Sequence, residues 1–354
     1  MGKLAVYKYF ALMFLVLQLV LTAYTIMGLF GGDVNPIGNT ARAMIVYILP
    51  ILIILNFLML IYWLVRKRWY VALIPFITIL CCIPYMGTLV QFRSIDNKEV
   101  DAQPGIKIAT YNVARFNRET SGFMAQDILA EMKRQKVDIF CIQEYMETGG
   151  GKKNSETYKE TFPYLAMAGR DCVIFSKYPV KDTKAFLFEE SNQAGMWADI
   201  DVKGKIIRVY NVHLETTGIN GTMYRAGKLA KQGFDVNENR LLKAIYGNYT
   251  FGMMVRTGQA NIIASDRRQS TVPTIVCGDF NDVPYSYVYK TMLGDLVDGF
   301  KECGSGGYMG TYRAKKNVRI DYIFHSESLK GLSCYKGDLT YSDHYPVFMK
   351  IALE

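Results

Sequence analysis

The stretch Thr274–Pro284, TIVCGDFNDVP, decides how the chain is read. Thr274 to Cys277 has the composition of a short buried strand, and Gly278 breaks it. Asp279, Asn281 and Asp282 follow in the turn. A carboxylate and a carboxamide two residues apart at a strand's end can face one pocket. A metal-dependent phosphoester hydrolase needs that pair: one group to orient or deprotonate water, the other to hold a phosphate or its metal. Gly-Asp-Phe-Asn also makes a good Asx-turn, so the stretch gains meaning only from partners elsewhere.

Working outward, the domain begins with Lys107 to Val113 (KIATYNV), a strand that delivers Asn112 at its end. Phe123 to Lys136 has the period of an amphipathic helix, with Phe123, Ile128, Leu129 and Met132 inward. Val137 to Ile142 is a second strand, followed by Glu144. An acid just past a buried strand is costly to bury alone. It is either paired with an arginine or coordinates a cation, and Mg2+ prefers one or two carboxylates plus substrate phosphate. Asp171 to Ser176 and Met196 to Asp201 read as further strands. Ile206 to Leu214 (IIRVYNVHL) is a strong one, with Asn211 and His213 on one face. His213 is either a satisfied structural histidine or an acid working near neutral pH.

Residues 218–272 are less regular, with helices expected at Glu238–Tyr246 and Met254–Arg268. They bring Arg240, Arg256, Arg267 and Arg268, read as surface charge. Gly149–Thr157 (GGGKKNSET) reads as a flexible basic loop, since no phosphate-loop helix follows it. Tyr285–Leu293 reads as a helix and Arg319–Phe324 as a strand carrying Asp321 inward, with His325 structural or exposed. Asp343 and His344 precede the last strand, Val347–Ala352, where Asp343 could orient the imidazole or accept its proton.

Residues 1–92 differ in kind. Tyr9–Phe30, Met44–Val65 and Trp69–Val90 are apolar runs, each long enough to cross a bilayer core of ~30 Å. The first is too long for the h-region of a cleaved signal, and no clear Ala-x-Ala cleavage site follows it. Lys3, Lys8 and the Arg66-Lys67-Arg68 loop fall on one side of three spans, which the positive-inside rule makes cytoplasmic. The expected organisation is a three-span anchor (1–92), a linker (93–104) and a catalytic domain (105–354) outside the membrane, periplasmic or extracellular. The spans hold no mid-membrane acid or base, which weakens a transporter reading.

The net charge of +9 splits unevenly. Up to residue 100, eight Lys/Arg stand against three acids, leaving 33 against 29, or +4, for the remainder. That permits a phosphate substrate without demanding a polynucleotide. The five cysteines after residue 100 are an odd number with no metal spacing, so no complete disulfide framework is expected.

In order, TYNV, IQEY, NVHL, GDFND, RIDYI and SDHYPV resemble the motif series of the endonuclease/exonuclease/phosphatase superfamily, which includes DNase I, abasic-site endonucleases, neutral sphingomyelinases and inositol-polyphosphate 5-phosphatases. The resemblance covers about residues 105–354; membrane-anchored bacterial members form a subgroup with such an N-terminus, which implies the inner (plasma) membrane. It implies an α/β (α+β) fold, a four-layer sandwich of two mixed β-sheets flanked by helices, here preceded by three transmembrane helices. By resemblance, Glu144 is the main metal ligand with Asn112 beside it, and Mg2+, or Mn2+ in its place, is the cofactor. Asp279 orients or activates water. Asn281 binds a phosphate oxygen, and Asn211 is a further candidate for binding the phosphate or substrate. His344 contacts the scissile phosphate, oriented by Asp321 or Asp343, and His213 is the candidate general acid. The implied activity is in-line attack of water on a phosphodiester, in nucleic acid or a phospholipid headgroup. A lipid or inositol phosphate phosphoesterase is the alternative, and a non-catalytic tethered binding module a further one.

Overall fold

Alternation along the strands builds the larger unit. In Gly105–Asn112 (β1), Ile106 and Ile108 face one side and Ala109 and Tyr111 the other, all fully buried. A strand buried on both faces must lie between layers. The computed structural model describes residues 3–118, 123–149, 152–169, 171–232, 237–313 and 317–353. The chain divides into two compact units, Met1–Gly87 with Val283–Lys290, and Thr88–Asp282 with Thr291–Glu354.

The larger unit holds twelve main strands: β1, Ile139–Gln143 (β2), Tyr164–Ala168 (β3), Cys172–Ser176 (β4), Val180–Leu187 (β5), Ala194–Val202 (β6), Lys205–His213 (β7), Thr274–Asp279 (β8), Val297–Asp298 (β9), Asp321–His325 (β10), Lys330–Lys336 (β11) and Val347–Ala352 (β12). They form two six-stranded mixed sheets, ordered β11-β12-β1-β2-β4-β3 and β9-β10-β8-β7-β6-β5. Ile106, Ile108, Ile139 and Met349 from the first sheet meet Ile200, Val209, Ile275 and Ile323 from the second in one core. Burying each such side chain is worth roughly 1.5–3 kcal/mol. The helix Phe123–Arg134 covers the outer face of the first sheet, with Ile128 and Met132 against Phe140 and Phe175. Helix Glu238–Arg267 covers the second; its Asp266 accepts from Trp197 Nε1 at 3.0 Å and Tyr210 Oη at 2.7 Å. The expected four-layer sandwich is observed.

Several local expectations change. The two helices expected between 238 and 268 are one helix of 30 residues, Glu238–Arg267. Arg256 and Arg267 are buried rather than surface charge, whereas Arg240 and Arg268 are exposed. Part of the loop expected at 149–157, residues 150 and 151, lies outside the described residues; beyond it Lys152–Lys153 pairs with Thr148–Gly149 and Asn154–Lys159 is helical. His325 is structural: it is fully buried, with Nε2 2.8 Å from Glu302. All seven cysteines are free.

Among the described residues of the smaller unit, three helices are long and apolar enough to cross a membrane: Lys8–Leu29, Thr40–Val65 and Trp69–Met86. Their burial is inverted relative to a water-soluble bundle. Leu12, Ile51 and Ile54 are about 60% exposed (61, 58 and 60%), while Gln18, Thr25 and Asn56 are fully buried. Asn56 Nδ2 donates to Thr25 at 2.8 Å, and Gln18 Nε2 donates to Asn56 Oδ1 at 3.1 Å. Pro50, expected inside the second span, sits in the first turn of Leu49–Val65, where its missing N–H costs nothing; a 3-10 turn, Met44–Ile48, precedes it.

Gly278 fixes the end of β8. Its φ is +133°, and a Cβ there would lie 1.9 Å from the Val212 carbonyl oxygen. Gly278→Ala is expected to cost on the order of 3 kcal/mol or to abolish folding. Chemical denaturation checks this; a variant as stable as the parent would contradict the close approach.

Candidate active site

The inward faces of the central strands stay apolar for two or more positions and then turn polar at one rim. In β1 the series is Ile106, Ile108, Thr110, Asn112; in β7 it is Ile207, Val209, Asn211, His213; in β8 it is Ile275, Cys277, Asp279. The period of two puts each polar residue on the face of the apolar ones before it. Register then sets the neighbours. β7 and β8 run parallel with His213 beside Asp279, and β8 pairs antiparallel with β10 so that Asp279 faces Asp321.

Asp279, 1% exposed, is the centre. Its Oδ1 accepts the Asn281 backbone N–H at 2.8 Å, and its Oδ2 accepts Asn112 Nδ2 at 3.1 Å. Two imidazoles aim at the same Oδ2: His344 Nε2 at 3.6 Å and His213 Nε2 at 3.9 Å. Each is held from behind. His344 Nδ1 lies 2.9 Å from Asp321 Oδ2, and His213 Nδ1 lies 3.0 Å from both oxygens of Asp171. The five groups form an alternating row, Asp171–His213–Asp279–His344–Asp321.

The charges in this row shape one another. Burial alone would lower the pKa of His213, but Asp171, with Asp279 behind it, raises it to about 9. Burial opposes protonation of His344 too, yet Asp321 and Asp279 raise its pKa to about 10. Both are imidazolium at neutral pH. Burial lifts the carboxyl of Asp279 to about 6, against the pull of His344.

The backbone is strained around this rim. Among the described residues, six of the eleven non-glycine residues at positive φ border it: Ala114 to Asn117 (φ 47, 55, 51 and 48°), Glu144 (51°) and Asn281 (51°). Such conformations cost of order 1–3 kcal/mol each and cluster at functional sites.

The sequence of one large family covers this constellation. The Endonuclease/Exonuclease/phosphatase family matches residues 109–344, and a domain of unknown function (DUF8431) matches residues 11–89. This chain belongs to the endonuclease/exonuclease/phosphatase family. The crystal structure of an endonuclease/exonuclease/phosphatase from Bacteroides vulgatus is similar at a TM-score of 0.51 and 18% identity, covering 71% of this chain and 100% of that one. One from Beutenbergia cavernae is similar at 0.51 and 16%, covering 71% and 72%. At these identities they show the shared fold. No curated protein sequence matches this chain.

For a member of the endonuclease/exonuclease/phosphatase family, the metal ligands expected from sequence sit at the edge of the row. Asn112 Nδ2 lies 3.3 Å from Glu144 Oε1, and Glu144 is partly exposed. Asn112 Oδ1 accepts the Ala114 N–H at 3.0 Å and keeps a second lone pair. A carboxylate with an amide oxygen suits a hard cation such as Mg2+. Asp279, Asp321 and His344 also converge, each with a ligand atom within 4.8 Å of the others. There one imidazole nitrogen, His344 Nδ1, is committed to Asp321, which leaves Nε2 facing Asp279.

Three sequence expectations change. Asn211, expected to bind substrate, gives both N–H groups to the Ile142 and Val173 carbonyls at 2.9 Å and accepts Gln143 Nε2 at 2.6 Å. It ties the sheets together and offers no donor to a phosphate. Of the two acids beside His344, Asp321 holds the ring, whereas Asp343 is exposed and its carboxylate lies 3.4 Å from the Ser342 hydroxyl. Asp282 is more than turn chemistry: it is buried with Arg256, Nε to Oδ2 3.4 Å, and Arg256 Nη1 donates to the Glu215 carbonyl at 2.6 Å. Asp171 was missed, although an acid at the mouth of a buried strand is the signal that marked Glu144. Asn281 Nδ2 donates to the Leu214 carbonyl at 2.9 Å and has a second N–H.

Asp171→Asn tests the row without touching Asp279. Histidines raised from 6.5 stabilise the fold fully below pH 6.5, and that stabilisation is lost as pH rises through about 9 and about 10. Denaturation midpoints are therefore expected to fall between pH 6.5 and 10, with a smaller fall in Asp171→Asn. An equal fall in both proteins would separate Asp171 from the charge on His213.

Proposed function

We propose that this chain is a membrane-anchored, Mg2+-dependent phosphoester hydrolase that cleaves a phosphodiester by direct in-line attack of water. The observation that carries the reading is the convergence of two imidazolium Nε2 atoms on one buried carboxylate oxygen, 3.6 and 3.9 Å away. These distances are too long for direct hydrogen bonds and short enough for an oxygen atom to be shared between the groups. With a carboxyl near 6, Asp279 is ionised at neutral pH yet basic enough to orient water and take its proton. His213, raised to about 9, holds a proton on Nε2 for the departing oxygen. His344 offers its Nε2 proton to a phosphoryl oxygen, and the free N–H of Asn281 can do the same. Glu144 and Asn112 would hold Mg2+, or Mn2+, which when bound stabilises charge on the phosphoryl oxygens. Asp171 and Asp321 act through the imidazoles they orient.

The substrate class is a phosphodiester, in nucleic acid or a phospholipid headgroup. The +4 charge after residue 100 gives a polynucleotide no special claim, so a lipid or inositol phosphate phosphoesterase is the alternative. A non-catalytic phosphate-binding module is disfavoured by the complete row of acids and imidazoles. The inverted burial of the three apolar helices supports the anchor. The positive-inside pattern supports a cytoplasmic N-terminus and a catalytic domain outside the bacterial plasma membrane, with residues 1–92, 93–104 and 105–354 as anchor, linker and catalytic domain.

Purified full-length protein offered DNA, RNA, sphingomyelin, phosphoinositides and a generic bis-ester should cleave one of them, with activity lost to a chelator and restored by Mg2+. Asp279→Ala and His344→Ala should each lower kcat by about a hundred- to ten-thousand-fold. No cleavage of any substrate, or cleavage that survives both substitutions, would remove the assignment.

The pH profile carries a second expectation. The rate should rise as Asp279 ionises near 6 and fall as His213 loses its proton near 9, giving a plateau between. The alkaline limb should vanish in His213→Ala when the leaving group needs no proton, as with p-nitrophenolate; a limb that persists would belong to another group. For topology, a reporter active only in the cytoplasm and fused at the C-terminus should stay silent.

A further inference from the structure

The segment after His213 leaves an amphipathic face uncovered. Helix Ile219–Lys231 carries Ile219, Met223, Ala226 and Ala230 at i, i+4, i+7 and i+11, one stripe of a helix. In a soluble domain such a stripe packs on the core. Here Met223 is 50% exposed and Leu229, on the stripe's edge, 45%. The neighbouring helix repeats the pattern in its first turns, where Leu242 and Tyr246 are 63% and 53% exposed. Asn248 Nδ2 joins the two helices by donating to Thr222 Oγ1 at 2.7 Å.

Charge accompanies these apolar residues. Residues 219–231 and 238–251 hold five cations, Arg225, Lys228, Lys231, Arg240 and Lys243, against one acid, Glu238, or +4. That equals the net charge of everything after residue 100, so these 27 positions concentrate the excess. An uncovered apolar stripe with flanking Lys and Arg is the signature of a helix that lies in the interface of an anionic bilayer. A protein partner would more often cover such a stripe without needing the cations.

The root of the pair is rigid. Gly252 lets the Thr216 carbonyl approach to where a Cβ would sit 2.2 Å away, and Arg256 grips the Glu215 carbonyl. The second helix then continues through its buried half to Arg267. The uncovered part is thus fixed to the chain three residues beyond His213 rather than hung on a linker.

We propose that residues 219–231 and 238–251 form a docking surface for anionic phospholipid bilayers, inserting Met223, Leu242 and Tyr246 below the headgroups that the cations contact. This surface is separate from the three apolar helices of residues 8–86 and does not depend on the catalytic reading.

Hydrogen exchange read by mass spectrometry tests it on the full chain, one copy per nanodisc. Discs of phosphatidylcholine alone are compared with discs containing phosphatidylglycerol. Amides of 223–231 and 240–251 are expected to exchange at least about fivefold more slowly in the anionic discs. The slowing should disappear in Met223→Asp/Tyr246→Asp and in Lys228→Glu/Lys231→Glu. Unchanged exchange in β2 verifies that each variant is folded; if the first pair fails this check, the charge pair alone decides. Equal exchange in both discs, or slowing that survives the charge reversal, overturns the proposal. Slowing that appears only with two copies per disc also overturns it, in favour of a second chain as the occupant.

Discussion

A carboxylate that is 1% exposed must be compensated, and the domain is arranged to do this for Asp279. An isolated buried carboxylate would protonate rather than persist. The two imidazolium groups that compensate it are themselves buried, so each needs its own anion behind it, Asp321 or Asp171. The row therefore ends in acids on both sides. Three carboxylates against two imidazoliums leave a net −1, and Glu144 beside Asn112 makes −2. A divalent cation balances that sum, so the electrostatics of the row and the donor set at its edge point to the same class of cofactor.

Nothing in this arrangement is local. Asp279, Asp321 and His213 come from one sheet, Asn112 from the other with Glu144 just past its strand β2, and His344 from the segment just before β12. The sheets must be in register within themselves and packed against each other before the groups meet. Asn211 enforces the second condition. From β7 in one sheet it bonds the carbonyls of Ile142 and Val173 in the other, using every donor it has. It is worth more as a tie than as a ligand, because an inter-sheet slip would separate Asn112 from Asp279.

This division explains what could be read beforehand. Asn112, His213, Asp279 and Asp321 were legible because each interrupts an apolar alternation, and alternation is written in the sequence. Glu144 and His344 were legible from their place beside a strand and from the order of the motifs. Asp171 lies outside the inward series of its strand, so only its place at the strand's mouth could have marked it. The spending of Asn211's donors was invisible because its partners are backbone carbonyls, which every residue has. Arg256 looked like surface charge because its partner, Asp282, lies in a different loop. The single helix of 238–267 was expected as two with a gap at 247–253, yet Gly252 within that gap serves the close approach of the Thr216 carbonyl and does not break the helix.

The same rule, burial of what the surroundings reject, runs in opposite senses in the two units. In the larger one, polar groups enter the core only as a fully partnered row at a rim. In the smaller one, Leu and Ile face outward while Gln18, Thr25 and Asn56 bond one another inside. Side chains of the same kinds thus point in opposite directions in the two units. Residues 219–231 and 238–251 fit neither pattern: they are apolar and cationic on the outside of the larger unit. The helix that carries part of this face is held at its buried half, where Arg256 Nη1 donates to the Glu215 carbonyl and Asp266 accepts from Tyr210 Oη.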